Sequence, residues 1–123
     1  MDRLGIGLSL SCVLILTTCM LVMIALHPLS IALAIRTKST EALQYFDKIL
    51  AINPKNVTAL TDKGIALNYL LNFTQAIQSF DKALAIDPKN VRALTNKGSA
   101  LGALGRYNES LIYYSKALAI DPS

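Results

Sequence analysis

Residues 82–88, Lys-Ala-Leu-Ala-Ile-Asp-Pro, return unchanged 34 positions later as residues 116–122. The same spacing relates residues 54–57, Pro-Lys-Asn-Val, to residues 88–91. A fixed period of this length is typical of arrays in which stacked units cover one another's apolar faces. The repeat therefore predicts the fold of the chain from about residue 40 to Ser123.

Each repeating unit is predicted to contain two helices, because its apolar and small residues recur at helical spacing. These residues are Val57, Leu60, Gly64, Leu67 and Leu70 in the first helix, and Ala76, Ile77, Phe80, Ala83 and Leu84 in the second. Gly64 and its equivalent Gly98 are small where the two helices of a pair should cross closely, and a larger side chain there would push them apart.

The ends of the predicted helices recur with the same period. Asn56 and Asn90 are expected to cap the first helices by accepting hydrogen bonds from unpaired backbone N–H groups. The expected caps of the second helices are Thr40, Thr74 and Asn108, and the prolines expected to end those helices are Pro54, Pro88 and Pro122.

This pattern resembles the tetratricopeptide repeat, which has a small Gly in its first helix, an Ala-x-x-x-aromatic step in its second helix and a closing Pro. The matching residues are Gly64 and Gly98, Ala42 with Phe46, Ala76 with Phe80, and the three prolines. The resemblance implies an all-α, short helix-turn-helix solenoid of about 2.5 repeats. Its parts are a half repeat over residues 40–56 and repeats over residues 57–90 and 91–123. Leu60 and Leu94 depart from the family's Trp, which alters packing detail only.

The resemblance also implies recognition of a peptide or a partner protein by the concave surface that the first helices line. The candidate binding residues are Thr58, Thr61, Asp62, Ile65, Asn68, Tyr69, Arg92, Thr95, Asn96 and Ser99. Asn96 is the strongest of them, because the family often has an Asn two residues before the Gly, able to hold a ligand's backbone amide. An ordinary surface position that contacts no ligand explains each of these side chains equally well.

Little in the sequence can support catalysis or metal binding. His27 is the single histidine, and Cys12 and Cys19 lie in an apolar segment away from any base. No CxxC, HExxH or EF-hand pattern occurs. From residue 40 onward, nine Lys and Arg are interleaved with seven Asp and Glu, without the basic stripe typical of nucleic-acid binding. We therefore expect a non-enzymatic protein with no catalytic residues, metal, cofactor or nucleic-acid partner.

Residues 1–38 are predicted to form a membrane anchor ahead of the repeats. Of the 123 residues in the chain, 53% are hydrophobic, and no charged residue lies between Arg3 and Arg36. Residues 4–26 would form a helix of about 34 Å, which can cross a hydrocarbon core of about 30 Å, and Pro28 is expected to break or kink it. More basic residues follow this segment than precede it, so the positive-inside rule places the repeats in the cytoplasm.

A cleaved secretory signal is the alternative for this segment. Ala32-Leu33-Ala34 fits the small-x-small cleavage pattern, and cleavage after Ala34 would export the repeats. We favour a retained single-pass anchor, because the apolar run far exceeds the roughly 7–15 residues of a signal core and its start is poorly basic.

A degenerate first helix is hypothesised ahead of the half repeat, from about residue 28. Leu26, Ser30, Ala32 and Leu33 lie one period before Leu60, Gly64, Ala66 and Leu67. These are the residues that a first helix would need to pack on residues 40–52. Such a helix would raise the number of repeats toward the roughly three that a stable array needs.

The other end of the array is expected to present an uncovered apolar face. Leu111, Tyr114 and Leu118 lie on the second helix of the repeat over residues 91–123, where a further repeat would normally cover them. An exposed face of this kind can join copies of a protein. A structural protein that assembles end to end is therefore the alternative to a peptide-binding module.

Overall fold

The computed structural model describes the backbone from Asp2 to Ser123 and the side chains from Leu10 to Ser123. It contains five helices and, over these residues, no β-strand. They are α1 (Asp2–Ile52), α2 (Val57–Tyr69), α3 (Phe73–Ile86), α4 (Val91–Ala103) and α5 (Tyr107–Ile120). The predicted all-α solenoid is thereby confirmed. Two compact units are distinguished, Met1–Ile35 and Arg36–Ser123, and α1 contributes to both.

The core of the second unit lies between successive helices of the repeats. Helix α2 packs on α3, α3 on α4 and α4 on α5. The apolar stripes that the periodicity predicts face one another at these contacts, so burial of apolar area holds the hairpins together. The buried core cluster consists of Leu60, Leu67, Ala76, Phe80, Ala83 and Ala93.

The close crossing predicted at the two glycines is confirmed. A Cβ atom built on Gly64 would lie 2.5 Å from the ring of Phe80, and one built on Gly98 would lie 3.2 Å from the ring of Tyr114. The aromatic ring of each second helix therefore occupies the space that a side chain on the first helix would need.

The predicted caps are confirmed for the first helices of the repeats. The Oδ1 atom of Asn56 accepts a hydrogen bond from the Ala59 N–H at 3.0 Å, and Asn90 Oδ1 accepts one from Ala93 at the same distance. Each bond satisfies a backbone donor that has no partner inside the helix.

The caps predicted for the second helices are wrong. Helix α3 begins at Phe73 and α5 at Tyr107, so Thr74 and Asn108 lie inside them, and neither helix has a side-chain cap. Thr40 lies within α1 and donates to the Arg36 carbonyl at 2.8 Å. The second helices begin early because the preceding turns are tight: Leu71 and Gly105 adopt positive φ angles of 61° and 78°.

Helix α1 carries the long apolar segment of the first unit. Its side chains from Leu10 to Ile35 are exposed and mostly apolar, and the helix is long and apolar enough to be either a membrane span or a signal sequence. Pro28 lies inside α1 and does not end it, so of the expected break or kink the break does not occur. Side chains 4–9 of the predicted anchor lie outside the described residues.

Candidate peptide-binding surface

Two adjoining grooves lie on the surface formed by α2 and α4, with the end of α1 at one side. The first groove has a volume of about 340 Å³ and the second about 270 Å³, and they share Ile65 and Tyr69. The first is lined by Lys38, Ser39, Ala42, Phe46, Asp62, Ile65, Ala66, Tyr69 and Arg92. The second is lined by Ile65, Asn68, Tyr69, Phe73, Asn96 and Ser99.

Tyr69 is the aromatic side chain common to both grooves. It ends α2 and is 63% exposed, so its ring is accessible beside half-buried Ile65. An exposed aromatic ring next to aliphatic surface can cover an apolar side chain of a ligand at small entropic cost. The two residues thus supply the apolar part of the surface.

An ion pair joins α2 to α4 at the rim of the first groove. Arg92 Nη1 lies 2.6 Å from Asp62 Oδ1, and the Arg92 side chain remains mostly exposed. A guanidinium has five N–H donors, so Arg92 can hold Asp62 and still donate to a ligand carbonyl or carboxylate. The groove thus carries a fixed donor on one wall.

Two asparagines connect the same helices at the second groove. Asn68 Nδ2 donates to the Asn96 carbonyl at 3.3 Å, and Asn96 Nδ2 donates to the Arg92 carbonyl at 2.8 Å. The buried Asn68 Oδ1 atom has no hydrogen-bond partner among the described residues. A buried acceptor without a donor costs stability, so an N–H group brought by a ligand would be favoured there.

The predicted binding residues divide according to whether they line these grooves. Asp62, Ile65, Asn68, Tyr69, Arg92, Asn96 and Ser99 do so. Thr58 and Thr95 are exposed but line neither groove. Thr61 is 2% exposed and its hydroxyl donates to the Val57 carbonyl at 2.8 Å, so it packs inside the hairpin and does not face a ligand.

Sequence reasoning missed the contribution of α1. Lys38, Ala42 and Phe46 line the first groove, although only first helices were expected to form the concave surface. They are accessible because no separate first helix covers the second helix of the half repeat. The half repeat itself was the signal, since an unpaired second helix leaves one face open.

The predicted exposed end of the array is only partly as expected. Leu111 and Leu118 are 63% and 59% exposed. Tyr114 is half-buried, because its ring packs over Gly98 within the hairpin. The accessible apolar face of α5 thus includes the two leucines and excludes most of the tyrosine.

The described residues contain no group of three His, Cys, Asp or Glu side chains placed to hold a metal ion, and both cysteines are free thiols. The pKa of the partly buried Lys97 ammonium is shifted. Burial alone would lower its pKa, but hydrogen bonds to Asp81 and Tyr113 outweigh burial and raise it above the ordinary 10.5.

Comparison with known proteins identifies the repeat. A family model described as tetratricopeptide repeat matches residues 91–123, and a second, described as TPR repeat, matches residues 72–105. The Arabidopsis OM64 TPR domain is 31% identical, with a TM-score of 0.69 over 70% of this chain and 71% of that one. A search of curated proteins gave no match.

Two further solved structures have the same arrangement of helices. MamA from MSR-1 is 28% identical, with a TM-score of 0.65 over 69% of this chain and 49% of that one, so the chain spans about half the length of MamA. The first TPR domain of human RPAP3 is 23% identical, with a TM-score of 0.65 over 75% of this chain and 80% of that one, and shows the fold alone.

Proposed function

Because the chain belongs to the tetratricopeptide repeat family, a family of protein-interaction modules, we propose that it is a non-enzymatic docking module that is tethered to a membrane by its N-terminal segment. Its ligand is a peptide or peptide-like segment of a partner protein, bound along the two grooves. The observation that carries the proposal is the pairing of exposed Tyr69 with the unpartnered Asn68 Oδ1 atom beside it.

The two grooves suit an extended peptide. Tyr69 and Ile65 offer an apolar contact, Arg92 offers donors, and Asn68 offers an acceptor for a backbone N–H. A backbone donor and acceptor are present in every peptide, whereas the apolar contact selects one side chain. The charged residues of the grooves, Lys38, Asp62 and Arg92, leave a net charge of only +1, so affinity would come from the apolar contact and backbone hydrogen bonds more than from long-range attraction.

A selected peptide tests this proposal directly. The full chain, reconstituted in lipid nanodiscs, is used to select from a displayed peptide library, and an enriched peptide is titrated against variants. Tyr69→Ala and Asn96→Ala are each expected to weaken binding by about tenfold, which corresponds to about 1.4 kcal/mol. Thr58→Ala is the matched control, since Thr58 is exposed on α2 but lines neither groove, and should change affinity less than about twofold. Equal losses for all three variants would reject the groove as the binding site.

A separate experiment tests whether the N-terminal membrane anchor is retained. Mass spectrometry of the mature protein distinguishes a retained anchor from cleavage after Ala34, which would remove most of the apolar segment. Retention of the full mass, with recovery only in detergent, is the expected result. A mature chain that begins at Ile35 would replace the membrane module with an exported one. The cytoplasmic placement of the repeats is part of the same proposal and predicts that Asn56, Asn72 and Asn108 are not glycosylated.

Self-association through α5 is the second candidate, favoured by the exposure of Leu111 and Leu118. The lack of one ion pair weakens this candidate. Asp47 and Asp81 form ion pairs with Lys63 and Lys97 in the helices that follow them. In α5 the equivalent residue is Ser115, which cannot form such a pair with a lysine of a further helix. Sedimentation of the full chain in detergent, with and without Leu118→Glu, addresses this candidate: a monomer at all concentrations rejects it.

A further inference from the structure

Two turns at one edge of the array expose apolar side chains. One joins α2 to α3 and the other joins α4 to α5, and stacking of the repeats places equivalent turns at the same edge. Leu71 at the first turn is 73% exposed, and at the second turn Leu104 is 44% and Tyr107 is 69% exposed. These three residues are here called the turn edge. None of them lines the two grooves proposed to bind a peptide.

Leu71 is unusual in its backbone as well as in its exposure. Its φ angle is 61°, the only positive φ angle of a non-glycine residue over the described part of the chain, and the equivalent residue of the next repeat is Gly105. A leucine in this left-handed region is strained, whereas a glycine is not. An exposed leucine in a strained conformation stabilises neither the turn nor the core. A contact outside the array would explain why a leucine is present there.

The turn edge lies near the residues at which the second unit begins. Arg36 is the first residue of that unit and directly follows a long uncharged segment. Lys38 lines the first groove together with Tyr69, which ends α2 two residues before Leu71. Leu71 is therefore on the part of the repeat array that is closest along the fold to its point of attachment to the apolar segment.

The chemistry of the turn edge fits the interfacial region of a bilayer. Tyrosine is enriched in that region because its ring is apolar and its hydroxyl can stay in contact with water and headgroups. Arg106, between Leu104 and Tyr107, donates hydrogen bonds to Glu109 at 2.8 and 2.6 Å, so the second turn carries little net charge. The guanidinium has further N–H donors that can bond a lipid phosphate.

We propose that the turn edge is a second membrane contact, in which Leu71, Leu104 and Tyr107 enter the headgroup region of a bilayer. This inference rests on the membrane tether of the proposed function. The contact is shallow, because the polar backbone of a turn is excluded from the hydrocarbon core and the headgroup region is only roughly 5–7 Å thick. It would hold the array at the bilayer surface and leave both grooves accessible to a peptide.

Tryptophan fluorescence tests this contact, because the chain contains no tryptophan of its own. Tyr107→Trp places the fluorophore on the turn edge. Ile52→Trp is the matched control, since Ile52 is 88% exposed and ends α1 before the turn into α2, at the opposite edge of the array. The full chain is reconstituted in phosphatidylcholine vesicles. The fluorescence is quenched from the lipid side by nitroxide-labelled headgroups and from the water side by iodide.

The two quenchers should rank the two variants in opposite order. Compared with Ile52→Trp, Tyr107→Trp is expected to be quenched roughly threefold more strongly by the labelled lipid and roughly threefold more weakly by iodide, because its ring would lie among headgroups. Equal quenching of the two variants by both reagents would overturn the proposal. Protection of Tyr107→Trp from both reagents would also overturn it and would assign the turn edge to a second copy of the chain.

A second substitution tests the role of Leu71 while keeping the turn. Leu71→Gly reproduces Gly105 and removes the strain of the positive φ angle, so helical circular dichroism should be unchanged. In the Tyr107→Trp chain it is expected to lower quenching by the labelled lipid roughly twofold, because one apolar contact with the bilayer is lost. Unchanged quenching would exclude Leu71 from the contact.

Recovery of each variant with the vesicles after alkaline carbonate extraction reports the tether separately. A chain that stays with the vesicles but shows equal quenching at residues 107 and 52 keeps the tether and lacks the second contact. A chain that is extracted would refute the tether, and this inference with it. Peptide binding by the grooves is measured independently of both, because the turn edge lies outside them.

Discussion

The hairpin of α2 with α3 and the hairpin of α4 with α5 have the same helix packing, but neighbouring helices bury the first hairpin more completely than the second. Helix α3 packs between α2 and α4, so Phe80 is fully buried over Gly64. Helix α5 packs on α4 alone among the described helices, and Tyr114 over Gly98 is only half-buried. Equivalent residues in a repeat therefore contribute unequally to stability, because each contribution depends on how many neighbours surround the residue.

Removal of the two aromatic rings gives the largest expected difference between the hairpins. Phe80→Ala leaves a cavity among Leu60, Leu67 and Ala76 and should lower the free energy of unfolding by about 3–5 kcal/mol. Tyr114→Ala should cost about 1–2 kcal/mol, because solvent fills part of the space. Urea unfolding of the full chain in detergent micelles, followed by helical circular dichroism, measures both values. Equal losses would show that the hairpins are enclosed to the same degree in solution.

Substitution of the two glycines tests the same difference in burial between the hairpins, because Gly64 and Gly98 lie on the first helices and face the two aromatic rings. A Cβ atom on Gly64 would lie 2.5 Å from the Phe80 ring, which is buried and cannot move aside, so Gly64→Ala should cost about 1–3 kcal/mol. A Cβ atom on Gly98 would lie 3.2 Å from the half-exposed Tyr114 ring and 3.3 Å from the Ser110 carbonyl oxygen, so it needs a smaller displacement than one on Gly64. The gain of about 1 kcal/mol from alanine in a helix should then offset the displacement, leaving Gly98→Ala near zero. The same unfolding measurement applies, and a greater loss at Gly98 would contradict the packing argument.

The sequence correctly predicted the features that recur in each repeat. It was wrong about the first residues of α3 and α5, which depend on the geometry of the preceding turns. The 34-residue period, the caps Asn56 and Asn90, and the small residues Gly64 and Gly98 all follow from repetition. The starts of α3 and α5 could not be predicted this way, because the positive φ angle of Leu71 is adopted by a residue that seldom has one. Leu71 is equivalent to Gly105, and this equivalence was the available signal for the turn.

The candidate site was predicted less completely than the fold. Seven of the ten residues carried over from the family line the grooves, because their places on the first helices follow from the helical period. The burial of Thr61 and the contribution of Phe46 were missed for one physical reason. Both depend on which neighbouring helix covers a face, and the spacing within one helix does not contain that information.

Substitution of the equivalent lysines Lys63 and Lys97 is expected to give the smallest difference in unfolding free energy. This difference isolates the contribution of Tyr113 to one ion pair. Lys63 Nζ lies 2.6 Å from Asp47, and its side chain is partly exposed. Lys97 is 8% exposed, bonds Asp81 and Tyr113, and lies 4.1 Å from the centre of the Tyr113 ring. Lys97→Met keeps the aliphatic stem and should cost about 1–2 kcal/mol at pH 7, whereas Lys63→Met should cost less than about 1 kcal/mol. Equal costs would mean that Tyr113 adds nothing to the ion pair.

The pH dependence of the Lys97 contribution has a definite sign. Its hydrogen bonds raise the pKa of Lys97 above 10.5 in the folded state, so the folded protein holds this proton more tightly than the unfolded chain does. The stabilisation is therefore complete below pH 10.5 and is lost as the pH rises through the folded pKa. The difference in unfolding free energy between the wild type and Lys97→Met should stay constant from pH 7 to 9 and shrink by pH 11. A difference that persisted unchanged at pH 11 would contradict the raised pKa of Lys97, because the contribution of its charge must fall once the pH passes 10.5.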